Sequence, residues 1–471
     1  MSTSSISNTS STSQPSDQRA RLVTSVPGPK SRALREREDA LLAPGSQAYA
    51  IGSGVALASG KGSAVTDVDG NTFLDLVGGI GVNALGHSHP AMVEALGRQA
   101  ASLSVGSFTS TARVELLERV ASHAPQRAEA PERRVRRLQL YSSGAEAVES
   151  ALRLAKSHTG KSEIVSFWGG FHGKTMGALS LMGSTFKEGF GPLVPGSHIV
   201  PYADCYRCPL KLEYPSCGLA CAEVARKQIK ASSAGGVAAI IVEPMQGTAG
   251  NVIPPDEFLP AVRSIADDLG ALLIVDEMIT GFGRTGRYWG MGHSGVRPDI
   301  VTLGKGFGGG FPLSGVLTTD AIAQARPWGN PSGSSSSYGG NPLAAAAGAT
   351  SLRVIDEERL VENAGVVGDA MLRELRSFAE AYPFVGEVRG RGLFLAIEMV
   401  RDKKTREPIA ASVAKRIYDA CVQRGLFVMA YAPRVRIQPA LTLDAATAAN
   451  GLGILRDVFD LVAAERWWTA P

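Results

Sequence analysis

Lys305 stands where an apolar run ends and a glycine-rich run begins. Asp299-Ile300-Val301-Thr302-Leu303-Gly304 precedes it, and Gly306-Phe307-Gly308-Gly309-Gly310-Phe311-Pro312 follows. The pattern predicts a strand that delivers a lysine to the lip of a sheet, with glycines clearing space around the amine. Lysine is the side chain that condenses with an aldehyde cofactor. A second apolar run, Ala271 to Val275, ends at Asp276. An acid and a lysine at the ends of neighbouring strands suit pyridoxal phosphate: the lysine takes the aldehyde and the acid pairs with the pyridinium nitrogen.

Other residues fall at similar places. Glu243 closes the run Ile240-Ile241-Val242. Open parallel sheets bind ligands at the carboxyl ends of their strands, and charges at three such ends point to one site. Ser143-Gly144-Ala145-Glu146 follows the strand Leu138-Gln139-Leu140 and opens a helix. Helix N-termini bind phosphate through their amides, and the same residues also read as an ordinary capping box. Trp168-Gly169-Gly170-Phe171-His172-Gly173-Lys174-Thr175 leaves another strand end. Phe171 there is placed to stack on a flat ring or to fill a turn in the core. Gly304-x-Gly306-x-x-Gly309 matches a dinucleotide fingerprint, but Gly310 and Pro312 follow where a helix should open, so that reading is rejected.

These groups need a rigid frame. The near-continuous apolar runs Ile164–Phe167, Val237–Val242, Leu272–Val275 and Ile300–Leu303 predict a largely parallel sheet covered on both faces. Arg113–Ala121, Ala145–Lys156 and Pro260–Leu269 carry helical spacing. Ala64–Val77 reads as a hairpin around Asp69-Gly70. A long helical stretch after Ala344 leads to further strands at Phe384–Glu387, Gly392–Val400 and Leu426–Met429. The expected organisation is a disordered tail over 1–26, an N-terminal segment over 27–90, a large domain over 91–355 and a C-terminal small domain over 356–471.

With 471 residues, more than one domain is expected. Net charge is +4, from 48 basic and 44 acidic residues, which argues against nucleic-acid binding or a membrane surface. No apolar stretch reaches transmembrane length. The Ser/Thr-rich start lacks the apolar core of a signal peptide, so a cytoplasmic protein is expected.

Together these stretches resemble the class III aminotransferases, pyridoxal-phosphate enzymes of fold type I. The resemblance runs from about Pro27 to the C-terminus. It is carried by Gly86-His87-Ser88-His89-Pro90, Ser143-Gly144-Ala145-Glu146-Ala147, Phe171-His172-Gly173-Lys174-Thr175 and Glu243-Pro244-Met245-Gln246-Gly247. Asp276-Glu277-Met278-Ile279-Thr280-Gly281-Phe282-Gly283-Arg284-Thr285-Gly286, Thr302-Leu303-Gly304-Lys305-Gly306 and Tyr338-Gly339-Gly340-Asn341-Pro342 continue it. It implies an α/β fold: a large domain with a mostly parallel sheet, and a smaller α/β domain built from both chain ends.

The resemblance also implies roles. Lys305 carries the cofactor and later shuttles the proton. Asp276 keeps the ring nitrogen protonated, and His172 belongs to the same cofactor site. Ser143, Gly144 and Ala145 hold the phosphate. Phe171 stacks on one ring face and Met278 packs on the other. Ser337 reaches the phosphate of the partner subunit's cofactor, which makes a homodimer with shared sites. Ile80 lines the substrate channel. Lys174 replaces an arginine that grips the carboxylate in 4-aminobutyrate-type members. Arg436 binds the α-carboxylate of a 2-oxo acid, and Glu243 neutralises it when a substrate lacks one. Ile279 replaces a glutamine that bonds the phenolic oxygen.

The implied reaction moves an amino group from a primary amine or ω-amino acid to a 2-oxo acid such as 2-oxoglutarate or pyruvate. Decarboxylating transamination of dialkylglycines and amino-acid racemisation are alternatives on the same scaffold. Cys205, Cys208, Cys217 and Cys221 lie apart from these motifs. Four thiolates at this spacing would suit zinc, but the gaps are not a standard finger and the reading adopted is reduced thiols with no metal.

Overall fold

The computed structural model of the chain describes residues 16–125, 134–431 and 433–470. In chain order the strands are β1 (Leu57–Lys61), β2 (Ala64–Asp67), β3 (Thr72–Asp75), β4 (Arg137–Tyr141), β5 (Glu163–Phe167), β6 (Ser197–Val200), β7 (Val237–Val242) and β8 (Leu272–Asp276). They continue as β9 (Ile300–Leu303), β10 (Ser314–Thr318), β11 (Val385–Arg391), β12 (Phe394–Asp402), β13 (Glu407–Pro408), β14 (Leu426–Phe427), β15 (Met429–Tyr431) and β16 (Arg434–Ile437).

The largest sheet has seven strands in the order β4-β10-β9-β8-β7-β5-β6. β5, β6, β7, β8 and β9 pair in parallel, and β10 runs antiparallel between β9 and β4. Both faces are buried, which explains the unbroken apolar runs. Ile241, Ile274 and Ile300 pack with Val148 and Ala151 of the helix Gly144–Thr159. Their neighbours Ile240, Leu273 and Val301 point the other way, into the cluster holding Phe258 and Val262 of the helix Phe258–Asp268. The helix Gly144–Thr159 begins where the Ser143 hydroxyl accepts from the Glu146 amide, and stops at Gly160, whose φ of 70° ends the right-handed path.

Two smaller sheets flank this one. β1-β2-β3-β14 joins the two ends of the chain, with β14 parallel to β3. β11-β12-β16-β15 carries β13 on β12.

The hairpin and the four large-sheet runs form where the sequence predicts them. Three expectations change. The single strand expected over Leu426–Met429 is two, because the chain leaves one sheet and enters another at Val428. The strand expected from Gly392 starts at Phe394. Gly392 lies in the turn with φ 53°, where a Cβ would fall 2.5 Å from the Gly286 amide nitrogen. The disordered tail expected over 1–26 holds for none of the residues from Asp17 to Thr24; residues 1–15 lie outside the described residues. Arg21 exchanges backbone hydrogen bonds with Thr72 at 2.7 and 2.9 Å. Gln18 donates to the Thr447 hydroxyl at 2.8 Å, and the Val23 and Thr24 amides donate to Asn71. The stretch is held by these hydrogen bonds together with Ala20 and Leu22, which pack against the core. Among the described residues no helix is long and apolar enough to cross a membrane.

Candidate active site

β7, β8 and β9 are adjacent and parallel, so their carboxyl ends share one edge. Glu243 directly follows β7, Asp276 ends β8, and Lys305 follows β9 after Gly304. Phe171 and His172 follow β5, and Ser142 to Ala145 follow β4. Residues from all five ends line one cavity of about 350 Å³, among them Gly144, Ala145, Phe171, His172, Glu243, Asp276, Met278 and Lys305.

Asp276 is buried, and its two carboxylate oxygens are both engaged. Oδ2 accepts from His172 Nδ1 at 2.7 Å. Oδ1 accepts from the Thr302 hydroxyl at 2.9 Å and the Met278 amide at 3.1 Å. Burial alone would lower the basicity of His172, but the Asp276 carboxylate, with Glu243 behind it, raises it above the ordinary histidine value. The pair holds a buried negative charge with a proton beside it.

Lys305 takes φ 47°, a left-handed conformation that a non-glycine residue rarely adopts. Burial lowers its amine to about 8 against the pull of Glu243 and Asp276, and Arg436 and Arg284 push the same way as burial. A lysine tuned this way has a neutral, nucleophilic amine available near neutral pH.

The space around the lysine is tight. A Cβ on Gly304 would lie 2.2 Å from the Met278 sulfur, and one on Gly144 2.8 Å from it. At the far side of the cavity the first turn of the helix Gly144–Thr159 presents amides that have no acceptor within the helix. The capping box is shifted by one residue: Glu146 Oε2 accepts from the Ser142 amide at 3.0 Å.

Phe171, His172, Met278, Asp276, Lys305, Gly144, Ala145 and Glu243 therefore meet at one place. Other expected residues lie elsewhere. Ser143 caps its helix and offers its carbonyl to the Ser314 hydroxyl at 2.7 Å. Ser337 is exposed and away from the cavity wall. Lys174 is exposed, with its amine 5.0 Å from the Phe186 ring. Ile80 does not line the cavity. Gly79, Ile80 and Gly81 all have positive φ, which turns Ile80 toward the cluster around Phe73 and Tyr418. Val82 lines the cavity instead.

Arg436 and Glu243 do not form the expected ion pair. Glu243 accepts from the Phe171 amide at 2.9 Å and the Gly247 amide at 3.1 Å. Arg436 donates to the Gly247 carbonyl at 2.8 Å. Each group is held by the backbone of Gly247 rather than by the other. Burial raises Glu243 to about 7 and lowers Arg436 to about 10. Ile279 packs with Met245 and Phe394 and lines the cavity, so this wall offers no hydrogen bond.

Some site residues had no role assigned from the sequence. Thr302 is one, and its signal was a lone polar residue inside the β9 apolar run. Arg284, outside the cavity lining, is another: buried in its turn, it donates to the Leu393 and Pro439 carbonyls, and its charge helps lower the Lys305 amine.

The four cysteines expected as reduced thiols gather around a second cavity of only about 20 Å³, with Tyr202 and Tyr214. All four are free, and burial raises the Cys205 thiol to about 11. Among the described residues no group of three or more His, Cys, Asp or Glu is arranged to hold a metal ion.

Comparison with known proteins agrees with this geometry. The family model described as Aminotransferase class-III matches residues 48–459. The chain is 36% identical over 419 residues to a diaminobutyrate–2-oxoglutarate aminotransferase of Rhizobium meliloti (strain 1021), covering 86% of this chain and 88% of the relative. It is 34% identical over 399 residues to a leucine/methionine racemase of Thermococcus litoralis, covering 83% and 87%. Among solved structures, an amine transaminase from an uncultivated Pseudomonas species in its PLP-bound form superposes with a TM-score of 0.81. That structure is 31% identical, with 89% of this chain and 98% of the other covered.

Proposed function

Because the chain belongs to the class III aminotransferase family, and is thereby a pyridoxal-phosphate-dependent transaminase of fold type I, we propose that it transfers the amino group of a primary amine or ω-amino acid to a 2-oxo acid. The observation that carries this reading is the convergence of Lys305, Asp276 and His172 on one cavity at the ends of adjacent strands.

The residues present fit the cofactor. Gly144 and Gly304 leave no room for a side chain beside Met278, and a buried carboxylate and an amine lowered to about 8 face the same cavity. Lys305 would hold the aldehyde, and the amides of Gly144 and Ala145 the phosphate, with Ser142 rather than Ser143 lining that end of the cavity. Phe171 and Met278 would flank the ring. When bound, the cofactor supplies the electron sink that lets a carbon–hydrogen bond beside the amine ionise.

The chain's own residues do the rest. Asp276, fixed by His172 and Thr302, keeps a proton on the group facing it. The Lys305 amine would also be the base that takes the proton from the carbon beside the amine being transferred. Arg436 takes the acceptor's α-carboxylate, and Glu243 holds Gly247 in place beside it. Lys174 would stand at the channel mouth, and Val82 takes the wall position expected of Ile80. Two domains are proposed, 91–355 for the cofactor and 27–90 with 356–471 around it; the β3–β14 pairing supports the second.

A homodimer is part of this reading. Phe108, Val105 and Tyr338 are exposed at 90%, 53% and 67%. Arg113 ties their two loops together through the Ser107 and Gly340 carbonyls. This apolar patch adjoins Ser337, where a partner subunit's site would lie. Five free cysteines are in keeping with a reducing, cytoplasmic setting.

The test is to add primary amines and ω-amino acids singly to the purified holoenzyme and follow its absorption, then identify the carbonyl product. A bleached cofactor band with one carbonyl formed per site supports the reading. Loss of optical activity in an amino acid without any carbonyl product would replace it with racemisation.

A further inference from the structure

Glu398 lies in β12 and is fully buried. Its carboxylate accepts from three arginines on three different segments. Arg389 of β11 donates at 2.8 Å and Arg434 of β16 at 2.9 Å. Arg207 donates from the cysteine-bearing segment after β6. Burial works to raise the carboxyl, but the three guanidinium groups outweigh it and hold it below its ordinary value. The carboxylate is therefore ionised, and it is the common counter-charge of the group. Glu387 adds a second carboxylate, on Arg389.

This cluster touches the acceptor side of the site in two ways. Arg434 is the register partner of Glu398, and Arg436 that of Ala396. Side chains alternate along a strand, so Arg434 and Arg436 share one face of β16. Arg389 continues past Glu398 to donate to the Gly250 carbonyl at 2.7 Å and the Asn251 carbonyl at 3.2 Å. A Cβ on Gly250 would fall 1.9 Å from Arg434 Cδ, so this loop lies directly on the arginine stem. The loop begins at Gly247, whose carbonyl receives Arg436.

We propose that Glu398 is a positioning residue for the 2-oxo acid. It is the counter-ion of Arg434, shares Arg389 with Glu387 and through Arg389 clamps the Gly247–Asn251 loop, so that Arg436, unpaired among the described residues, is the cation of β16 presented to the acceptor's carboxylate. This rests on the reading of Arg436 as the carboxylate's partner. Without the Glu398 charge, Arg434 loses its counter-ion two residues from Arg436, and the loop keeps its Asn251 and Gly247 contacts but loses a fixed Arg389 as one of its anchors. A partly buried guanidinium left unpaired rearranges to find another anion or water.

The experiment compares Glu398→Gln, the double variant Glu398→Gln/Arg434→Gln, Arg389→Lys and Arg436→Met in the holoenzyme. Steady-state kinetics with 2-oxoglutarate report the acceptor step. A single-turnover reaction with a primary amine lacking any carboxylate reports the donor step.

Glu398→Gln is expected to raise KM for 2-oxoglutarate by about tenfold or more, with the donor step within about threefold of the parent. The double variant restores the charge balance and is expected to recover most of that loss, which removing two purely structural contacts would not do. Arg389→Lys keeps the charge but cannot reach both Glu398 and the loop, and a rise of about threefold is expected. It decides the matter if Glu398→Gln does not fold.

An unchanged KM in folded Glu398→Gln, or a double variant worse than the single one, overturns the proposal. So does an unchanged KM in Arg389→Lys when Glu398→Gln cannot be assayed. If Arg436→Met leaves KM for 2-oxoglutarate unchanged, the carboxylate reading itself falls. If Arg436→Met raises KM and Glu398→Gln does not, only the role of Glu398 falls.

Discussion

Glu243 and Arg436 hold opposite ends of one residue: the Glu243 carboxylate accepts from the Gly247 amide, and the Arg436 guanidinium donates to the Gly247 carbonyl. Two buried charges are thus joined through a peptide rather than through each other. An arriving α-carboxylate competes with a neutral carbonyl for Arg436, not with a glutamate, and a charged acceptor wins that contest. Arg436→Met is therefore expected to lower kcat/KM for 2-oxoglutarate by about 10²-fold, the usual scale for removing one member of a buried charged contact. Steady-state kinetics over a range of 2-oxoglutarate concentrations measure it, and the loss should fall on KM.

Asp276 is the residue proposed to face the cofactor's ring nitrogen. Asp276→Asn keeps the shape but removes the charge that His172 and Thr302 hold in place. The donor half-reaction is expected to slow by on the order of 10²–10³-fold. Stopped-flow absorption with saturating amine gives the rate directly.

In the proposed site the Lys305 amine, lowered to about 8 by burial, would set how fast the cofactor is taken up. Below that pH the folded protein holds the amine protonated and unable to attack; above it the amine is neutral. Reconstitution of the apoenzyme with pyridoxal phosphate is expected to speed up with rising pH by about tenfold per unit below 8, and to level off above it. A lysine at its ordinary value would keep accelerating to about pH 10. Absorption during reconstitution between pH 6 and 9 distinguishes the two.

Gly304 is required by contact rather than by backbone angle, since its φ is 180°. Gly304→Ala puts a methyl group 2.2 Å from the Met278 sulfur. It is expected to destabilise the protein by about 1–3 kcal/mol and to weaken cofactor retention. Met278→Ala makes room, so the double variant should lose less than the sum of the single losses. Thermal melts of the four proteins complete the cycle.

Much of this site is legible in the chain because parallel strands buried on both faces leave unbroken apolar runs. The runs ending at Glu243, Asp276 and Lys305 mark three strand ends, and adjacency in the sheet does the rest. What stays hidden depends on distance or backbone angle. Ile80 is turned away from the cavity by consecutive positive φ values that its side chain does not announce. Asp17 to Thr24 has no apolar period, because its hydrogen-bond partners include the backbone of Thr72 and the side chains of Asn71, Asp444 and Thr447. The short β14 and β15 read as one apolar run although they belong to different sheets. Glu398 looks like an ordinary strand residue until Arg207, Arg389 and Arg434 are brought around it.

The central claim is that Lys305 carries the cofactor. Borohydride reduction of the holoenzyme followed by peptide mass mapping tests it most directly. The account predicts that the mass of the reduced pyridoxyl phosphate is found on the peptide containing Lys305. An unmodified Lys305, or the label on another lysine, would contradict it.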